Sequence, residues 1–420
     1  MTNPTESGIK LPKQDWMQKS ATRAVMKALT RGGAEALFVG GCVRDSLLDR
    51  KDIDNIDIAT PITPDQVVKL LKNSGFKTIP TGFEHGTVTA IADDEVFEIT
   101  TLRRDTSTDG RHATVAFTDN WLTDANRRDF TINAMYCDIE GILYDPLGGA
   151  DDLKSGKIRF VGSAGTRIEE DALRILRFFR FYAHFGKNQP NVEALAACSA
   201  AAEKIDMLSS DRIRIELLKW LDAPDPTRAL EYARDCGVLA YTLKFSPDQN
   251  AFARMESLLS IETETKRQDP MRRLAALTNT PEQRTSLSNH LNLPKKSQRR
   301  LESMFTSTFR LIPNLSDKAA CRFLYRVGPE CFTDITLIAW AQASSKNSGS
   351  WHKLLELADN WHKPKCPVSG VDIIALGVPT GPTIGEIFGD IEDWWIAGNF
   401  QAGREQTLAQ LRRILDARAR

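Results

Sequence analysis

The chain has 420 residues, which exceeds one ordinary compact domain and predicts two to four domains. Hydrophobic residues make up 41% and charged residues 26% of it, a composition that excludes an intrinsically disordered chain. The formal net charge is zero, which excludes a uniformly basic surface but leaves room for a local basic patch.

The first segment, Met1–Trp16, is polar and lacks the apolar core of a secretory signal. No apolar run reaches the roughly 18 residues that a membrane span needs. The seven cysteines are scattered without a CxxC pair, so we expect reduced, mostly buried thiols and no zinc site. These features predict a cytoplasmic protein without membrane contact.

Short apolar runs alternate with helical stretches up to about residue 150. Thr63–Asn73 is predicted to be a helix, because Thr63 is a suitable N-cap and Asp65 lies in the first turn. Five segments are typical of strands: Ala36–Gly40, Ile56–Ala59, Thr87–Ala92, Val96–Leu102 and Ala134–Ile139. Strands mixed with helices predict an α+β head with a small mixed sheet.

After residue 160 almost every periodic segment repeats apolar residues every three or four positions, as α-helices do. The predicted helices are Arg167–Phe185, Val192–Leu208, Asp211–Leu221, Pro226–Leu239, Met271–Leu277, Gln298–Phe305, Lys318–Val327 and Gln406–Ala417. The sequence therefore predicts a mixed head followed by a long all-α remainder.

Gly40 and Gly41 directly follow the first predicted strand and precede a helix-compatible segment. Glycines at a strand end let the backbone approach a phosphate, and Arg44 can supply a bidentate donor. An ordinary tight turn produces the same pattern, so this motif does not decide the function by itself.

Acidic residues alternate with apolar ones between Asp52 and Asp57. On a strand, such alternation places carboxylates on one face. Paired carboxylates can hold Mg²⁺ against a triphosphate, where the metal polarises the phosphoryl group. A solvated acidic loop is the alternative, and the glycine pair a dozen or so residues earlier disfavours it.

Two later segments combine arginines with acidic or amide side chains. In the first, Arg127 and Arg128 can bind phosphate, while Asp129 and Asn133 can bond to a ribose or a base. An exposed helix with ion pairs between successive turns is the alternative.

In the second segment, polar residues recur every three positions, so one continuous helix would carry them as a slowly drifting stripe: Asp171, Arg174, Arg177 and Arg180. Asp171 and Arg174 can offer an acceptor and donors to a base edge. Arg177 and Arg180 can face phosphates. A salt-bridged surface helix is the alternative.

Together, and in this order, these segments resemble the class II, or bacterial-type, family of tRNA nucleotidyltransferases and poly(A) polymerases. The resemblance is carried by Gly40-Gly41-x-Val43-Arg44-Asp45, Ile56-Asp57-Ile58-Ala59-Thr60, Arg127–Ala134 and Glu170-Asp171-x-x-Arg174, with weaker support from Leu291–Leu301 and Ser369–Asp372. It implies a nucleotidyltransferase head over 1–150, a helical neck for base recognition over 151–220, a helical body over 221–360 and an RNA-binding helical tail over 361–420.

The resemblance also implies roles for residues at matching positions. Gly40, Gly41 and Arg44 would bind the triphosphate, Arg128 the nucleotide and Asp129 the ribose with Asn133 beside it, while Asp171 and Arg174 would read the bases of CTP and ATP with Arg177 and Arg180 nearby.

One departure from the family concerns the metal site. The family has an Asp-x-Asp pair, and here its first position is Asn55. We therefore expect Asp57 to be the principal Mg²⁺ ligand, Asn55 to offer one neutral oxygen, and Asp54 to compensate. Glu98 on another predicted strand is a further carboxylate candidate.

The activity that the resemblance implies is template-independent addition of CCA to the 3′ end of tRNA from CTP and ATP. Phe83–Val88 resembles the tRNA-directed branch of the family, and Arg103–Phe117 resembles the flexible loop of enzymes that add the terminal A. Poly(A) synthesis and partial addition of A or CC remain alternatives, and a degenerate RNA-binding module is a third. RNA contact is expected from Lys295–Arg300 and Arg404–Arg420, and no obligate protein partner is evident.

Overall fold

The computed structural model describes residues 6–51, 53, 55–108, 113–305, 315–343 and 348–418. The chain forms two compact units. Unit 1 comprises Met1–Ser246 with His290–Asn292, and unit 2 comprises Pro247–Asn289 with Leu293–Arg420. None of the described helices is long and apolar enough to cross a membrane.

Unit 1 contains a mixed sheet of eight strands and a separate two-stranded hairpin. The strands within the described ranges are β1 (Glu6–Lys10), β2 (Leu37–Val39), β3 (Ile56–Thr60), β4 (Lys77–Gly82), β5 (Thr87–Ala92), β6 (Glu95–Thr101), β7 (Arg103–Thr108), β8 (Ala113–Phe117), β9 (Tyr136–Cys137) and β10 (Ile142–Tyr144). The order in the large sheet is β1-β10-β9-β2-β3-β6-β5-β4, and β7 pairs with β8. Strands β3 and β6 are parallel, while the other neighbours in the sheet are antiparallel.

All five predicted strands are present; β5 has the predicted bounds, and the other four differ at one or both ends. The last of them is shortest, because Thr131–Asn133 forms a 3₁₀ turn immediately before β9. The centre of the sheet is apolar: Phe38 of β2 and Ile58 of β3 are register partners and both are fully buried. The prediction of an α+β head is therefore confirmed by the architecture.

Helices pack around this sheet and continue beyond it in unit 1. They are α1 (Asp15–Gln18), α2 (Ser20–Leu29), α3 (Gly41–Leu47), α4 (Pro64–Asn73), α5 (Trp121–Asn126), α6 (Gly149–Ser155), α7 (Ala164–Glu170), α8 (Leu173–Phe185), α9 (Val192–Ala200), α10 (Ser210–Leu221), α11 (Thr227–Asp235) and α12 (Val238–Leu243). Helix α4 begins as predicted, with the Gln66 side chain accepting a hydrogen bond from the Thr63 backbone N–H.

The prediction of one continuous helix over Arg167–Phe185 is wrong. Helix α7 ends at Glu170, and Asp171 has an extended backbone with φ −157°. The Asp171 carboxylate then accepts a hydrogen bond from the backbone N–H of Leu173, at 3.0 Å, as the next helix begins. A short acidic side chain competes well for such free N–H groups at a helix start, which explains the break. Asp171 therefore lies before α8 and not on a stripe along it.

The helices that follow Pro247 are α13 (Gln249–Thr265), α14 (Pro270–Ala276), α15 (Pro281–His290), α16 (Lys295–Ser303), α17 (Asp317–Gln342), α18 (Ser348–Asp359), α19 (Gly370–Ala375), α20 (Pro382–Ala397) and α21 (Arg404–Arg418). The predicted helix Lys318–Val327 forms the first part of α17, which is interrupted where Gly328 adopts a non-helical backbone with φ 80° before Pro329. Proline lacks an N–H for the helical ladder, which accounts for the interruption.

The interior of unit 2 contains paired charges as well as apolar side chains. Glu262 accepts a hydrogen bond from Arg273 at 2.7 Å, and Asp334 accepts one from Arg272 at 2.8 Å. Arg300 donates to both oxygens of Asp334, at 2.7 and 3.0 Å. The Glu262 and Asp334 side chains are each 1% exposed, so these ion pairs belong to the core of the unit.

Candidate active site

Unit 1 contains a polar cleft of about 540 Å³. Its walls are the start of α3, the segment around β3, the turn before β9, and helices α8 and α10. The residues that line it are Gly40, Gly41, Cys42, Arg44, Asp45, Arg50, Ile53, Asn55, Asp57, Arg128, Asp129, Asn133, Arg177, Arg180, Phe181, His184, Phe185, Lys219 and Asp222. The cleft thus brings together residues from all four sequence segments singled out above.

The turn between β2 and α3 passes close to the polar side chains of the cleft. Gly40 has φ 76°, a left-handed conformation that glycine adopts without strain. A Cβ atom there would lie 3.8 Å from Arg128 Nη1 and 3.9 Å from Asp57 Oδ2. Those distances are ordinary van der Waals contacts, so the positive φ is what favours glycine at this turn.

Arg44 and Asp129 are joined through Asn133. Arg44 Nη1 donates to Asn133 Oδ1 at 2.7 Å, and Asn133 Nδ2 donates to Asp129 Oδ1 at 3.1 Å. The rest of the Arg44 guanidinium binds the Asp45 carboxylate, at 3.1 and 2.8 Å. The predicted triphosphate-binding arginine is thereby fixed in orientation by two neighbours.

Asp129 in turn accepts a hydrogen bond from Arg177, with 2.6 Å between Asp129 Oδ2 and Arg177 Nε. Burial alone would raise the pKa of Asp129, but Arg177 and Asn133 outweigh it and hold that pKa below its usual value. Burial acts against the charge of Arg177 as well, and Asp129 and Glu216 raise its pKa. Both members of the pair are therefore charged.

Glu216 of α10 extends this series of contacts to Arg180. Its carboxylate lies 3.6 Å from Arg177 and 2.9 Å from Arg180. Burial and the nearby charge of Arg177 lower the pKa of Arg180 to about 10, so Arg180 is still cationic at neutral pH. The sequence did not suggest Glu216, because nothing in its own segment indicates which arginines it meets.

Arg128 is held by Asp124, with 3.0 Å between Arg128 Nη2 and Asp124 Oδ2. Arg127 binds the other oxygen of the same carboxylate at 2.8 Å. Burial would raise the pKa of Asp124, but Arg128 and Arg127 lower it to about 2. Asp124 was not predicted as a site residue, although its spacing of three and four residues before the two arginines is a signal that could have found it.

Two carboxylates lie side by side at the sheet. Asp57 of β3 is the register partner of Glu98 on the parallel strand β6, so both side chains project from the same face. Burial, and then the Glu98 charge, raise the pKa of Asp57 to about 6, although Arg128 acts against the shift. Asn55 also lines the cleft and is exposed. Asp54, the predicted compensating carboxylate, lies outside the described residues.

This donor set fits a divalent cation. A carboxylate whose ionisation is disfavoured by burial and by a second carboxylate gains from a nearby cation, and oxygen donors suit Mg²⁺. No cluster of three or more His, Cys, Asp or Glu residues capable of holding a metal occurs within the described ranges. Mg²⁺ is usually bound through one or two carboxylates together with substrate phosphates and water, so a pair is sufficient.

Asp171 and Arg174, the predicted base-reading pair, are not among the residues lining the cleft. Asp171 Oδ2 accepts a hydrogen bond from Arg212 at 2.7 Å. Arg174 binds the Glu170 carboxylate and donates to the backbone carbonyl of Arg167 at 3.0 Å. Both side chains are therefore engaged by protein groups. The segment Asp109–His112, which carries the centre of the predicted flexible loop, lies outside the described residues.

Two family models match the chain: "Poly A polymerase head domain" over residues 36–159 and "Probable RNA and SrmB- binding site of polymerase A" over 191–252. The mitochondrial CCA tRNA nucleotidyltransferase 1 of Danio rerio is 35% identical over 389 residues, covering 90% of this chain and 87% of that protein. The CCA-adding enzyme of Levilactobacillus brevis is 31% identical over 384 residues, covering 90% and 93%.

The fold gives the same result. The crystal structure of the Bacillus stearothermophilus CCA-adding enzyme in complex with CTP superposes with a TM-score of 0.75 at 27% identity, covering 96% of this chain and 99% of that one. The similarity in sequence and in fold extends over nearly the whole chain, and the head-domain model covers the first three of the four segments. The protein therefore belongs to the family of CCA tRNA nucleotidyltransferases.

Proposed function

We propose that the protein adds CCA to the 3′ end of tRNA from CTP and ATP, without a nucleic-acid template. The observation that carries the proposal is that one cleft holds Asp57 opposite a set of cationic side chains, including Arg44 and Arg128. Carboxylates for a metal facing arginines for a polyphosphate are what nucleotidyl transfer requires.

In this reaction the 3′ hydroxyl oxygen of the RNA attacks the α-phosphorus of the nucleoside triphosphate. A new P–O bond forms, the bond to the β-phosphate oxygen breaks, the hydroxyl proton is released, and pyrophosphate leaves. The protein contributes mainly position and charge to such a step. Arg44 and Arg128 bind phosphate oxygens, and Asp129 with Asn133 lies where it can hydrogen-bond the ribose.

Nucleotidyltransferases generally use divalent metal ions, and we assign Mg²⁺ here. Asp57, Glu98 and Asn55 would hold it, with Asp54 as a further candidate. When bound, Mg²⁺ polarises the phosphoryl group and favours ionisation of the attacking hydroxyl. Asp57 supplies the charge that Asn55 lacks, and Glu98 is the second carboxylate of the site.

Base selection is assigned to Asp171 and Arg174. Because both are bound by protein groups, base reading requires that the edge of the incoming nucleotide replace Arg212 on Asp171 and Glu170 on Arg174. Such an exchange is selective, since a base that fails to satisfy the released groups leaves them unpaired.

We assign the regions 1–150, 151–220, 221–360 and 361–420 to catalysis, base recognition, a helical body and RNA binding by the tail. Lys295, Lys296 and Arg299 are exposed on α16 and available for RNA phosphates, as are Arg412 and Arg413 on α21. Arg300 is excluded from this role, because it binds Asp334 and Asp269. A cytoplasmic location and the absence of an obligate protein partner remain predictions.

The test is incorporation of labelled nucleotides into tRNA that lacks its 3′ end. We expect two C residues with CTP alone, and complete CCA with both nucleotides. A long A tail on unrelated RNA would identify a poly(A) polymerase, and addition that stops at CC or requires an existing CC would identify a partial enzyme. Binding of tRNA without any incorporation in Mg²⁺ would identify a degenerate binding module.

A further inference from the structure

Two phenylalanine side chains form one wall of the cleft at the C-terminal end of α8. Phe181 and Phe185 are four residues apart, so they share a face of the helix. They are 4% and 8% exposed, and both line the cleft. This wall of the cleft is therefore aromatic.

The two rings are covered by guanidinium groups. The guanidinium carbons of Arg180 and Arg177 lie 4.2 and 5.2 Å from the centre of the Phe181 ring. Arg44 lies 5.3 Å from the Phe181 ring and 4.6 Å from the Phe185 ring, and Arg50 lies 4.9 Å from the Phe185 ring. All these distances fall within the range of cation–π contact.

This arrangement separates two uses of an arginine. A guanidinium group stacks on a ring through its flat face, whereas it donates hydrogen bonds to phosphate along its edge. A ring that covers the face therefore fixes the plane of the group and leaves its edge to hydrogen bonds. In Arg44 that edge binds Asp45 and Asn133, so phosphate oxygens take its remaining N–H groups or replace those partners. The electron-rich ring face also favours a crowded set of cations that would otherwise repel one another.

The other two phenylalanines of α8 stack on aromatic side chains of the core. Phe178 stacks on Phe160, with 5.6 Å between ring centres, and Phe179 stacks on Trp220 at 5.5 Å. Both are fully buried. Helix α8 thus presents Phe178 and Phe179 to the core of unit 1, and Phe181 and Phe185 to the cleft.

We propose that Phe181 and Phe185 are positioning residues for nucleotide binding. Their rings hold Arg44, Arg50, Arg177 and Arg180 in fixed planes, so that a nucleoside triphosphate meets donors that are already oriented. This proposal rests on the proposed function for its ligand. It concerns binding of the triphosphate that CTP and ATP share, so it predicts an equal effect on both nucleotides.

The experiment compares Phe185→Leu, Phe185→Tyr and Phe179→Leu in the full-length protein. Leucine keeps an apolar side chain but removes the ring, and tyrosine keeps the ring. We expect Phe185→Leu to raise KM for CTP and for ATP about fivefold, with kcat changed less than twofold. Phe185→Tyr should keep KM within twofold of the natural protein. Phe179→Leu should lower the melting temperature at least as much as Phe185→Leu and leave KM unchanged.

A double-mutant cycle between Phe185→Leu and Arg44→Lys completes the test. Lysine keeps the charge but has no flat face to stack, so the effects of the two changes on KM should be less than multiplicative. The proposal is overturned if Phe185→Leu leaves KM unchanged, if tyrosine fails to restore it, or if Phe179→Leu raises it equally. Failure of the proposed function would be distinct, because the natural protein itself would then not add CCA. Calorimetry would still show whether Phe185→Leu weakens the binding of CTP.

Discussion

Asp129 and Arg177 form a charge-assisted hydrogen bond of 2.6 Å between the turn that precedes β9 and helix α8. The side chains are 10% and 29% exposed, so the pair is largely removed from water. It links the segment assigned to the ribose with the helix assigned to the phosphates. One contact therefore aligns two parts of the site that are distant in sequence.

Removal of one member of this pair should destabilise the protein. We expect Arg177→Met to lower the free energy of unfolding by about 2 kcal/mol, because Asp129 is left as a buried carboxylate without its cation. Urea denaturation measures the change. The double variant Arg177→Met/Asp129→Asn should recover part of the loss, and a loss no smaller in the double variant would contradict the assignment.

The raised pKa of Asp57 predicts that this residue opposes folding at neutral pH. A carboxyl whose pKa is raised by folding contributes stability that is present below its unfolded pKa, near 4, and lost as the pH rises through about 6. At pH 7.5 in the presence of a chelator, the free energy of unfolding of Asp57→Asn should therefore be about 1–2 kcal/mol larger than that of the natural protein. The difference should vanish as the pH falls well below 4.

Added Mg²⁺ should reverse that order at pH 7.5. It stabilises only the form with an ionised Asp57, so the natural protein should gain thermal stability with Mg²⁺ and Asp57→Asn should not. Equal stabilisation of both proteins by Mg²⁺, or intact CTP incorporation by Asp57→Asn, would rule out Asp57 as the principal ligand.

Asn55 and Glu98 give a separate test of the metal site. Asn55→Asp restores the charge found in the family, and should lower the Mg²⁺ concentration for half-maximal activity several-fold. Glu98→Gln should raise that concentration in the natural background and raise it less in the Asn55→Asp background. If Glu98→Gln has no effect in either background, Glu98 does not hold the metal.

Removal of a buried aspartate of unit 2 should destabilise the protein more than removal of an exposed one. Asp334→Ala should lower the free energy of unfolding by about 3–5 kcal/mol, because Arg272 and Arg300 lose a buried partner. Asp393→Ala is the matched control, since its pair with Arg326 is exposed and should contribute about 0.5 kcal/mol or less. Equal losses of unfolding free energy in the two variants would show that burial does not determine the contribution of these ion pairs to stability.

The basic residues of helix α16 are expected to have two different roles, RNA contact for the exposed ones and stabilisation of unit 2 for Arg300. Replacing Lys296 and Arg299 with alanine should weaken tRNA binding. The slope of the logarithm of the binding constant against the logarithm of the salt concentration should fall in magnitude by about one for each charge removed. Arg300→Ala should instead lower the melting temperature, since Arg300 binds Asp334. Filter binding at several salt concentrations separates the two effects. A salt slope unchanged by the double alanine variant would place the RNA elsewhere.

The segments that meet in the candidate cleft were recognisable in the sequence because their signals are local. Each motif is contained within a few consecutive residues: the glycine turn at Gly40, the alternation that ends at Asp57, and the arginine pair before Asp129. The structure brings these segments to one cleft, as their order along a nucleotidyltransferase head predicts.

What the sequence did not predict depends on distant partners or on competition between local choices. The periodicity around Asp171 favours a helix. The Asp171 carboxylate instead accepts a hydrogen bond from the backbone N–H of Leu173, and α7 ends at Glu170. The contact of Glu216 with Arg180 and the contact of Arg44 with the Phe185 ring each join separate elements. Such contacts follow from how helices pack and not from spacing within a segment.

The strand order of unit 1 also has a consequence for the order in which the protein is made. Strand β2 lies between β3 and β9 in the sheet, so one of its edges stays unpaired until Tyr136 and Cys137 have left the ribosome. Strand β1 is made first, yet it pairs only with β10. The nascent chain must therefore keep apolar strand edges from pairing with other chains while the segment between β3 and β9 is translated. Closure of the sheet and completion of the turn that carries Asp129 and Asn133 then occur in the same stretch of synthesis.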